Sequence, residues 1–382
     1  MALRRHLLAL GALCLIPVLG AQYMSGGLFT MDEFIYLMSA EAWATNTSLI
    51  VDNGRDVFAS PDLNIWFLVD GPNGLAPQYP PGVAVLGGLV FAPFGVLGLM
   101  AGNVAAAVGV IALTWWLARF LFDDATVALI AVALLVLNTF FLEYAWAVWP
   151  HMSATFCVLA AFALALAAVE RAGAAGALGY AALSGLFVGA GMFLRQDAFL
   201  VLPAIGLVVL VFARRPVWTL LGGVLGLVPG LAALSLINAH KFATYNILSY
   251  GKSGAGGGHD ITSHLGAAVG LGIGVVAVLF ARRLTWTRAR VVVVSAVVVA
   301  VGMGALFVPL TAGVLTKVAH GYQALVLDAR VISDWRSGVV PQPDGTVLFW
   351  GVAKKALAQS LPWLGVLAGL AAVLWASLDR RA

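Results

Sequence analysis

An acidic pair, Asp32-Glu33, follows shortly after the first apolar segment of the chain. It opens the stretch 31–41, which also holds Phe34, Tyr36 and Glu41, and a polar loop then runs to Tyr79-Pro80-Pro81-Gly82. This loop is the first place where acids, amides, aromatics and turn residues gather. A carboxylate held there could take a proton from an attacking hydroxyl, which is general-base chemistry. We therefore expect the chemistry of the protein in this loop.

A second candidate is Arg195, in the tripeptide Arg195-Gln196-Asp197 between two apolar segments. A guanidinium fork matches the oxygens of a phosphate group, so this residue could anchor an anionic group at a membrane surface. The alternative is an arginine that extends its charge to the interface and pairs with Asp197.

Composition indicates the kind of fold that must position these residues. The chain has 382 residues, of which 62% are hydrophobic and 10% charged, whereas soluble domains have about 45–50% and about 25%. We therefore predict an all-α polytopic membrane protein, folded as a single membrane domain over 1–382. The net charge of +4 comes from scattered residues without a basic run, so nucleic acid is not an expected partner. Cys14 and Cys157 both lie in apolar segments, and no disulfide is expected.

About ten segments approach the roughly 20 apolar residues that a spanning helix needs. The first could also be a secretory signal cleaved near Leu19-Gly20-Ala21, but a retained helix is preferred. The predicted spans are 7–23, 101–121, 125–142, 150–169, 177–194, 198–212, 217–238, 265–281, 291–310 and 356–377.

The segment 82–99 is apolar but interrupted by glycine and proline, and charge decides its placement. If it lies along or re-enters the outer surface without crossing, nearly all short-loop arginines fall on one side, as the positive-inside rule requires. These arginines are Arg4, Arg5, Arg119, Arg171, Arg214, Arg215, Arg282, Arg283, Arg288, Arg290, Arg380 and Arg381. We predict both ends in the cytoplasm and a surface-lying helix after Pro80-Pro81.

Three substantial loops then face outward: 24–100, 239–264 and 311–355. The first predicts a short surface helix over 32–44 and a hairpin over 65–79 with a turn at 70–74. The last is basic and includes Lys317 and Arg330. The glycine-rich run 252–258 lacks the order of a phosphate loop and suggests a flexible lid or linker. His259, Asp260 and His264 could bind a metal, but their spacing is not diagnostic.

These features resemble the GT-C fold integral-membrane glycosyltransferases, especially the protein O-mannosyltransferase and lipid A aminoarabinose transferase type. In that family an Asp-Glu pair follows the first span, commonly with a tyrosine soon after; here these are Asp32, Glu33 and Tyr36. A Pro-Pro motif then begins a surface helix, as at Pro80-Pro81, and Arg195 resembles the basic residue that closes a later helix near the outer face. The match covers about residues 7–212. The family's His or Lys before Pro-Pro is Tyr79 here.

The resemblance implies a glycosyltransferase that moves one sugar from a polyprenyl phosphate carrier to an acceptor hydroxyl at the outer face of the cytoplasmic membrane. It assigns Asp32 as base, Glu33 to orient the base or the acceptor, and Arg195 to the phosphate. Tyr36, Tyr79, Lys317 and Arg330 are further candidate substrate-binding residues. The implied partners are the donor lipid, membrane lipids and a glycan, lipid or protein acceptor. No cofactor is implied, and a divalent metal is not indicated.

Three other readings stay open: a transporter or flippase of lipid-linked sugars, a polysaccharide polymerase or ligase acting on a diphosphate lipid, and an inactive scaffold. Transporters place ionisable groups near the bilayer midplane between repeated halves. The predicted spans carry almost no charge at their centres and show no repeat, which favours the enzyme.

Overall fold

The computed structural model describes residues 2–251 apart from 24–27, 29, 61–62, 66 and 172, and beyond 251 only positions 320, 323, 339–341, 343 and 347–349. The chain divides into two units, Met1–Arg283 and Leu284–Ala382. The three last predicted spans and the glycine-rich run lie outside the described residues, and a single membrane domain stays a prediction.

The described part of the first unit is mainly helical. Its helices are α1 (Ala2–Gly20), α2 (Met31–Asn46), α3 (Arg55–Phe58), α4 (Gly88–Phe122), α5 (Ala125–Asn138), α6 (Phe141–Trp146), α7 (His151–Val169), α8 (Ala174–Leu194), α9 (Leu202–Phe212) and α10 (Pro216–Phe242). Short 3₁₀ turns cover Ala21–Tyr23 and Gln196–Val201, and a π-helical segment covers Val83–Gly87. In the second unit, β3 (Val339–Pro341) pairs antiparallel with β4 (Val347–Phe349).

The prediction of a helical membrane protein agrees with the helices that are described. Five of them are long and apolar enough to cross a membrane: Arg4–Tyr23, Val83–Phe122, His151–Val169, Ala174–Leu194 and Pro216–Phe242. Shorter apolar helices cover Ala125–Asn138 and Gln196–Phe212. Each of the seven spans predicted before residue 251 thus corresponds to an apolar helix.

The apolar stretch Val83–Phe122 is 40 residues long, which in a straight helix would measure about 60 Å, twice a bilayer core of about 30 Å. The stretch is not straight. Gly95 has φ 59° and ψ −145°, a conformation open mainly to glycine. A Cβ added at Gly98 would overlap the carbonyl oxygen of Val90, eight residues earlier and about 12 Å away in a continuous helix. The chain therefore bends sharply at Gly95, as expected if 82–99 is separate from the span that follows.

Glycines allow α8 and α10 to pack backbone against backbone. A Cβ on Gly226 would overlap the carbonyl oxygen of Ala182, and one on Gly185 would overlap that of Gly223. Small residues at a helix interface permit this close approach, which is a common way to associate helices in lipid. The contact fixes the end of α8, where Arg195 follows, relative to the end of α10.

The predicted hairpin is present. Strands β1 (Leu68–Gly71) and β2 (Gly74–Pro77) pair antiparallel, with Pro72 and Asn73 in the turn. Asn73 Nδ2 donates to the carbonyl of His240 at 2.8 Å, and a Cβ on Gly71 would overlap the carbonyl oxygen of Lys241. The hairpin is therefore docked on the last turn of α10, and it delivers Tyr79 two residues after β2.

Candidate functional site

The acidic pair begins α2, and its two carboxylates have different surroundings. Thr30 caps the helix by accepting from Glu33 N at 3.3 Å, while Glu33 Oε2 accepts from Thr30 N at 3.2 Å. This reciprocal pair is a capping box, which satisfies two otherwise unpaired backbone donors. Glu33 Oε1 also accepts from Val148 N at 3.0 Å, and Glu33 is buried. Glu33 thus ties the start of α2 to the segment before α7.

Asp32, by contrast, is half-buried and points to a phenol. Its Oδ1 accepts a hydrogen bond from the Tyr79 hydroxyl. A carboxylate that accepts a hydrogen bond is held in one orientation. The structure therefore joins two predicted site residues that lie 47 positions apart in sequence.

Tyr36 follows Asp32 by one helical turn in α2, and both charged candidates affect its phenol. Its ring stacks on Tyr79 with centroids 4.7 Å apart, and it is 4% exposed. Burial raises the pKa of Tyr36 well above its usual value; the Arg195 guanidinium lowers it, and Tyr79 and Asp32 raise it. Burial likewise raises the pKa of Tyr79, and the hydrogen bond to Asp32 adds to this. One phenol thus lies within electrostatic reach of both the carboxylate and the guanidinium.

The residue after the Pro-Pro motif packs against the end of α8, which leads into Arg195. Pro81 is fully buried, and a Cβ added at Gly82 would lie 2.5 Å from the carbonyl oxygen of Phe193 and 2.9 Å from Leu194 Cα. Only glycine permits such an approach without displacing a backbone. The end of α8 is therefore packed directly on the residue after Pro80-Pro81, and Arg195 follows immediately.

Arg195 is held from two sides. Its Nε and Nη2 donate to Asp197 at 3.0 and 2.8 Å, and its Nη1 lies 2.7 Å from His151 Nε2. Since a guanidinium can only donate, His151 accepts this bond as a neutral imidazole. The side chain of Arg195 stays 28% exposed. The pairing with Asp197 expected by the alternative interpretation is thus present, and it fixes the plane of the guanidinium group.

Asn103, a residue that the sequence did not indicate, holds the segments on either side of His151. It is 5% exposed within α4 and donates to the carbonyls of Ala147 and Trp149 at 2.7 and 2.6 Å. Its Oδ1 accepts from Ser153 Oγ at 2.8 Å. These bonds pair two backbone carbonyls in the segment that leads into α7. The sequence offered one sign of this role, namely a single amide side chain within a largely apolar helix.

Aromatic rings surround the imidazole. His151 stacks on Tyr144, with centroids 4.8 Å apart, and is tilted against Trp149 at 5.3 Å. The Trp149 indole Nε1 donates to Thr30 Oγ1 at 3.1 Å, which connects this group to the cap of α2. Sequence alone left open an aromatic belt at the membrane interface for these residues. The rings also form one side of the site.

The segment after α10 closes toward the same place. Gln196, which is 6% exposed, donates to the carbonyl of Ser249 at 3.2 Å, and the next residue is Tyr250. Burial raises the pKa of Tyr250; Arg195 lowers it and Asp197 raises it. Tyr250 is therefore near the guanidinium, a placement that its sequence position did not reveal.

A cavity of about 160 Å³ adjoins the site. Trp149 and Leu194 line it on the side of His151 and Arg195, and Asn103 and Ser153 are the polar side chains in its wall. The other lining residues are Gly82, Val83, Leu86, Gly87, Val90, Leu99, Gly102, Val148 and Pro150. The wall is largely apolar and begins where the Pro-Pro motif ends.

Five of the seven predicted site residues lie in the described region: Asp32, Glu33, Tyr36, Tyr79 and Arg195. Asp32 and Tyr79 are in contact, and Tyr36 stacks on Tyr79. Arg195 acts on the Tyr36 phenol through its charge, and Glu33 turns instead toward Val148. Lys317 and Arg330 lie outside the described residues, as does the alternative metal group His259, Asp260 and His264. Among the residues that the structure describes, no group of three or more His, Cys, Asp and Glu is placed to hold a metal ion.

Comparison of the chain with protein-family models, with curated proteins and with solved structures found no match. The assignment of a function therefore depends on the geometry of the site and on the residue patterns.

Proposed function

We propose that this chain is a glycosyltransferase that moves a monosaccharide from a polyprenyl phosphate-sugar donor to an acceptor hydroxyl, with inversion, at the outer face of the cytoplasmic membrane. The observation that carries the proposal is the position of Tyr36. Its ring stacks on Tyr79, which donates to Asp32, and both the Asp32 carboxylate and the Arg195 guanidinium shift the pKa of its phenol. A base and an anion-binding group therefore act on the same phenol.

The reaction needs both groups. The acceptor hydroxyl gives its proton to Asp32 as its oxygen bonds to the anomeric carbon, and the bond from that carbon to the phosphate oxygen breaks. The electron pair leaves with the lipid phosphate, whose negative charge increases. Arg195 donates hydrogen bonds to that charge, and such contacts lower the barrier if they strengthen in the transition state.

The surroundings support this substrate class. Apolar helices that could lie in a bilayer suit a donor with a long hydrocarbon chain, and the largely apolar cavity beside Trp149 and Leu194 offers such a chain a surface next to Arg195. Asp32 and Arg195 both lie at helix ends, where a lipid phosphate would meet them at the interface. A sugar on such a carrier needs no nucleotide site, in agreement with the lack of a phosphate-loop sequence.

The test is transfer by the purified chain in proteoliposomes. Polyprenyl phosphate carrying a labelled hexose or pentose is the donor, and separated glycan, lipid and protein fractions of a cell envelope are the acceptors. Label should enter one fraction while free polyprenyl phosphate appears. Asp32→Asn should abolish both signals without changing the thermal unfolding midpoint. Asp56→Asn, in the same loop with a side chain 90% exposed, should retain them.

The same vesicles separate the main alternative. A transporter or flippase would move the intact labelled lipid across the bilayer without breaking its sugar–phosphate bond. Wild-type turnover by Asp32→Asn would remove the proposed mechanism, and movement of intact donor without release of polyprenyl phosphate would favour transport.

A further inference from the structure

Lys241 is a buried cation in the last turn of α10. The sequence places it among the basic residues of an outer loop, but the structure includes it in the helix and leaves it 2% exposed. Among the described residues, no carboxylate forms an ion pair with it. Burying an ammonium group costs several kcal/mol unless it is well paired, so its retention at this position calls for an explanation.

Its partner is part of the candidate site. Lys241 Nζ donates to the backbone carbonyl of Tyr79 at 2.7 Å and lies 4.7 Å from the centroid of the Phe242 ring. Because this carbonyl directly precedes Pro80 and Pro81, the bond restrains the backbone at the start of the Pro-Pro motif.

Docking of the hairpin does not explain the charge. The hairpin is already attached to α10 through Asn73 and the carbonyl of His240 and through the close approach of Gly71 to the backbone of Lys241. Both contacts use backbone atoms of α10, so an apolar side chain at position 241 would preserve them. What the ammonium adds is the bond to Tyr79.

We propose that Lys241 is a positioning residue for the reaction suggested above: it holds the Tyr79 backbone so that the phenol reaches Asp32. The ring of Tyr79 is set by stacks on Tyr36 at 4.7 Å and Phe67 at 5.8 Å, and its hydroxyl donates to Asp32. The carbonyl bond to Lys241 supplies the remaining restraint, at the other end of the residue. The end of α10 is thereby coupled to the carboxylate at the start of α2.

The inference rests on the proposed function, but one measurement does not. A water-soluble carbodiimide with a glycine ester labels accessible carboxyl groups, and mass spectrometry of the folded protein gives the labelling rate of Asp32. Loss of one hydrogen bond to the carboxyl should raise this rate about fivefold. Lys241→Met and Tyr79→Phe should each raise the labelling rate to the same degree. The double variant should be labelled no faster than either single variant, because both substitutions act through the same Tyr79–Asp32 hydrogen bond.

Two further variants keep the test decisive. Asn73→Ala loosens the hairpin but leaves Lys241 in place, so the labelling rate should stay at the wild-type value. Lys241→Gln keeps a shorter, neutral donor and should give a labelling rate between those of wild type and Lys241→Met. It also allows the test to be made if the Met variant does not fold. An unchanged rate in the folded Lys241 variants, a rise in Asn73→Ala equal to theirs, or effects of Lys241→Met and Tyr79→Phe that multiply would overturn the inference.

In the transfer assay, Lys241→Met should lower kcat on the order of 10- to 100-fold, the usual cost of misplacing a catalytic group, while KM for the donor lipid changes less than about twofold. A rise in KM with kcat retained would contradict the positioning role. If the wild-type chain transfers no sugar but the labelling pattern holds, the proposed function fails and the coupling between Lys241 and Asp32 stands.

Discussion

Replacement of Arg195 by lysine separates charge from geometry at the anion-binding group. Lysine keeps one positive charge, but it loses the planar fork that reaches Asp197 and His151 together. Lysine acts on a phosphate as a point charge rather than through paired donors. The substitution therefore tests whether the fixed plane of the guanidinium matters for binding the donor.

The expected magnitude follows from one lost charged hydrogen bond, which is worth about 1.5–3 kcal/mol. The side chain of Arg195 is 28% exposed, so water screens part of the interaction and the lower end applies. A loss of about 1.5–2 kcal/mol corresponds to roughly 10- to 30-fold weaker binding of polyprenyl phosphate. The affinity should be measured by calorimetry in nanodiscs.

Arg171→Lys is the matched control. Arg171 follows α7 at its other end, with its guanidinium 4.4 Å from the centroid of the Tyr180 ring, and its replacement should leave the affinity for polyprenyl phosphate unchanged. Equal affinities for wild type and Arg195→Lys would refute the assignment of Arg195 to the phosphate. An equal loss of affinity in the Arg171 variant would also refute it, because the loss would then follow from replacing any arginine rather than from the position of Arg195.

Three further outcomes are expected. Gly226→Ala should lower the free energy of unfolding by about 1–3 kcal/mol, because the added Cβ would overlap the carbonyl of Ala182. Gly179→Ala in α8, with open space around it, should be neutral or stabilising in the same thermal unfolding measurement. Asn103→Leu should cost about 1–3 kcal/mol by leaving two carbonyls before α7 without their donor, and it should also weaken polyprenyl phosphate binding. Normal binding in the folded variant would contradict the link to His151. Burial raises the pKa of both Tyr36 and Tyr79, so their contribution to stability is present below the unfolded value of about 10 and is lost as pH rises toward the folded values. Tyr36→Phe with Tyr79→Phe should therefore reduce the fall in unfolding midpoint between pH 9 and 11, and an unchanged slope would exclude these two phenols as its source.

Much of this architecture follows from local patterns. Apolar length indicated the helices, and Asn73 in a turn between short strands indicated the hairpin. The capping box of Thr30 and Glu33 is also local, because three residues of spacing decide it. The bend at Gly95 agrees with the separation of 82–99 from the next span, which had been argued from the distribution of arginines rather than from the glycine itself.

The contacts that assemble the site could not be obtained in this way. The residue pattern placed Glu33 beside Asp32 to orient the base or the acceptor, but in the structure Glu33 accepts from the backbone of Val148, a partner 115 positions away. Lys241 had the appearance of a loop cation, because nothing local shows that the hairpin covers it. Asn103 and Tyr250 were missed since their partners depend on how α7 and the segment after α10 pack, which is set by long-range contacts.

The sharp bend at Gly95 has a consequence for biogenesis. The apolar arm before the bend, residues 83–94, would measure about 18 Å as a helix, which is too short to cross a bilayer core of about 30 Å. Only the arm after the bend is then long enough to insert as a span, so Arg119 would lie on the same side as Arg4 and Arg5 if α1 also crosses. A bend several residues later would lengthen the first arm toward a span of its own, and two crossings in place of one would put Arg119 on the opposite side.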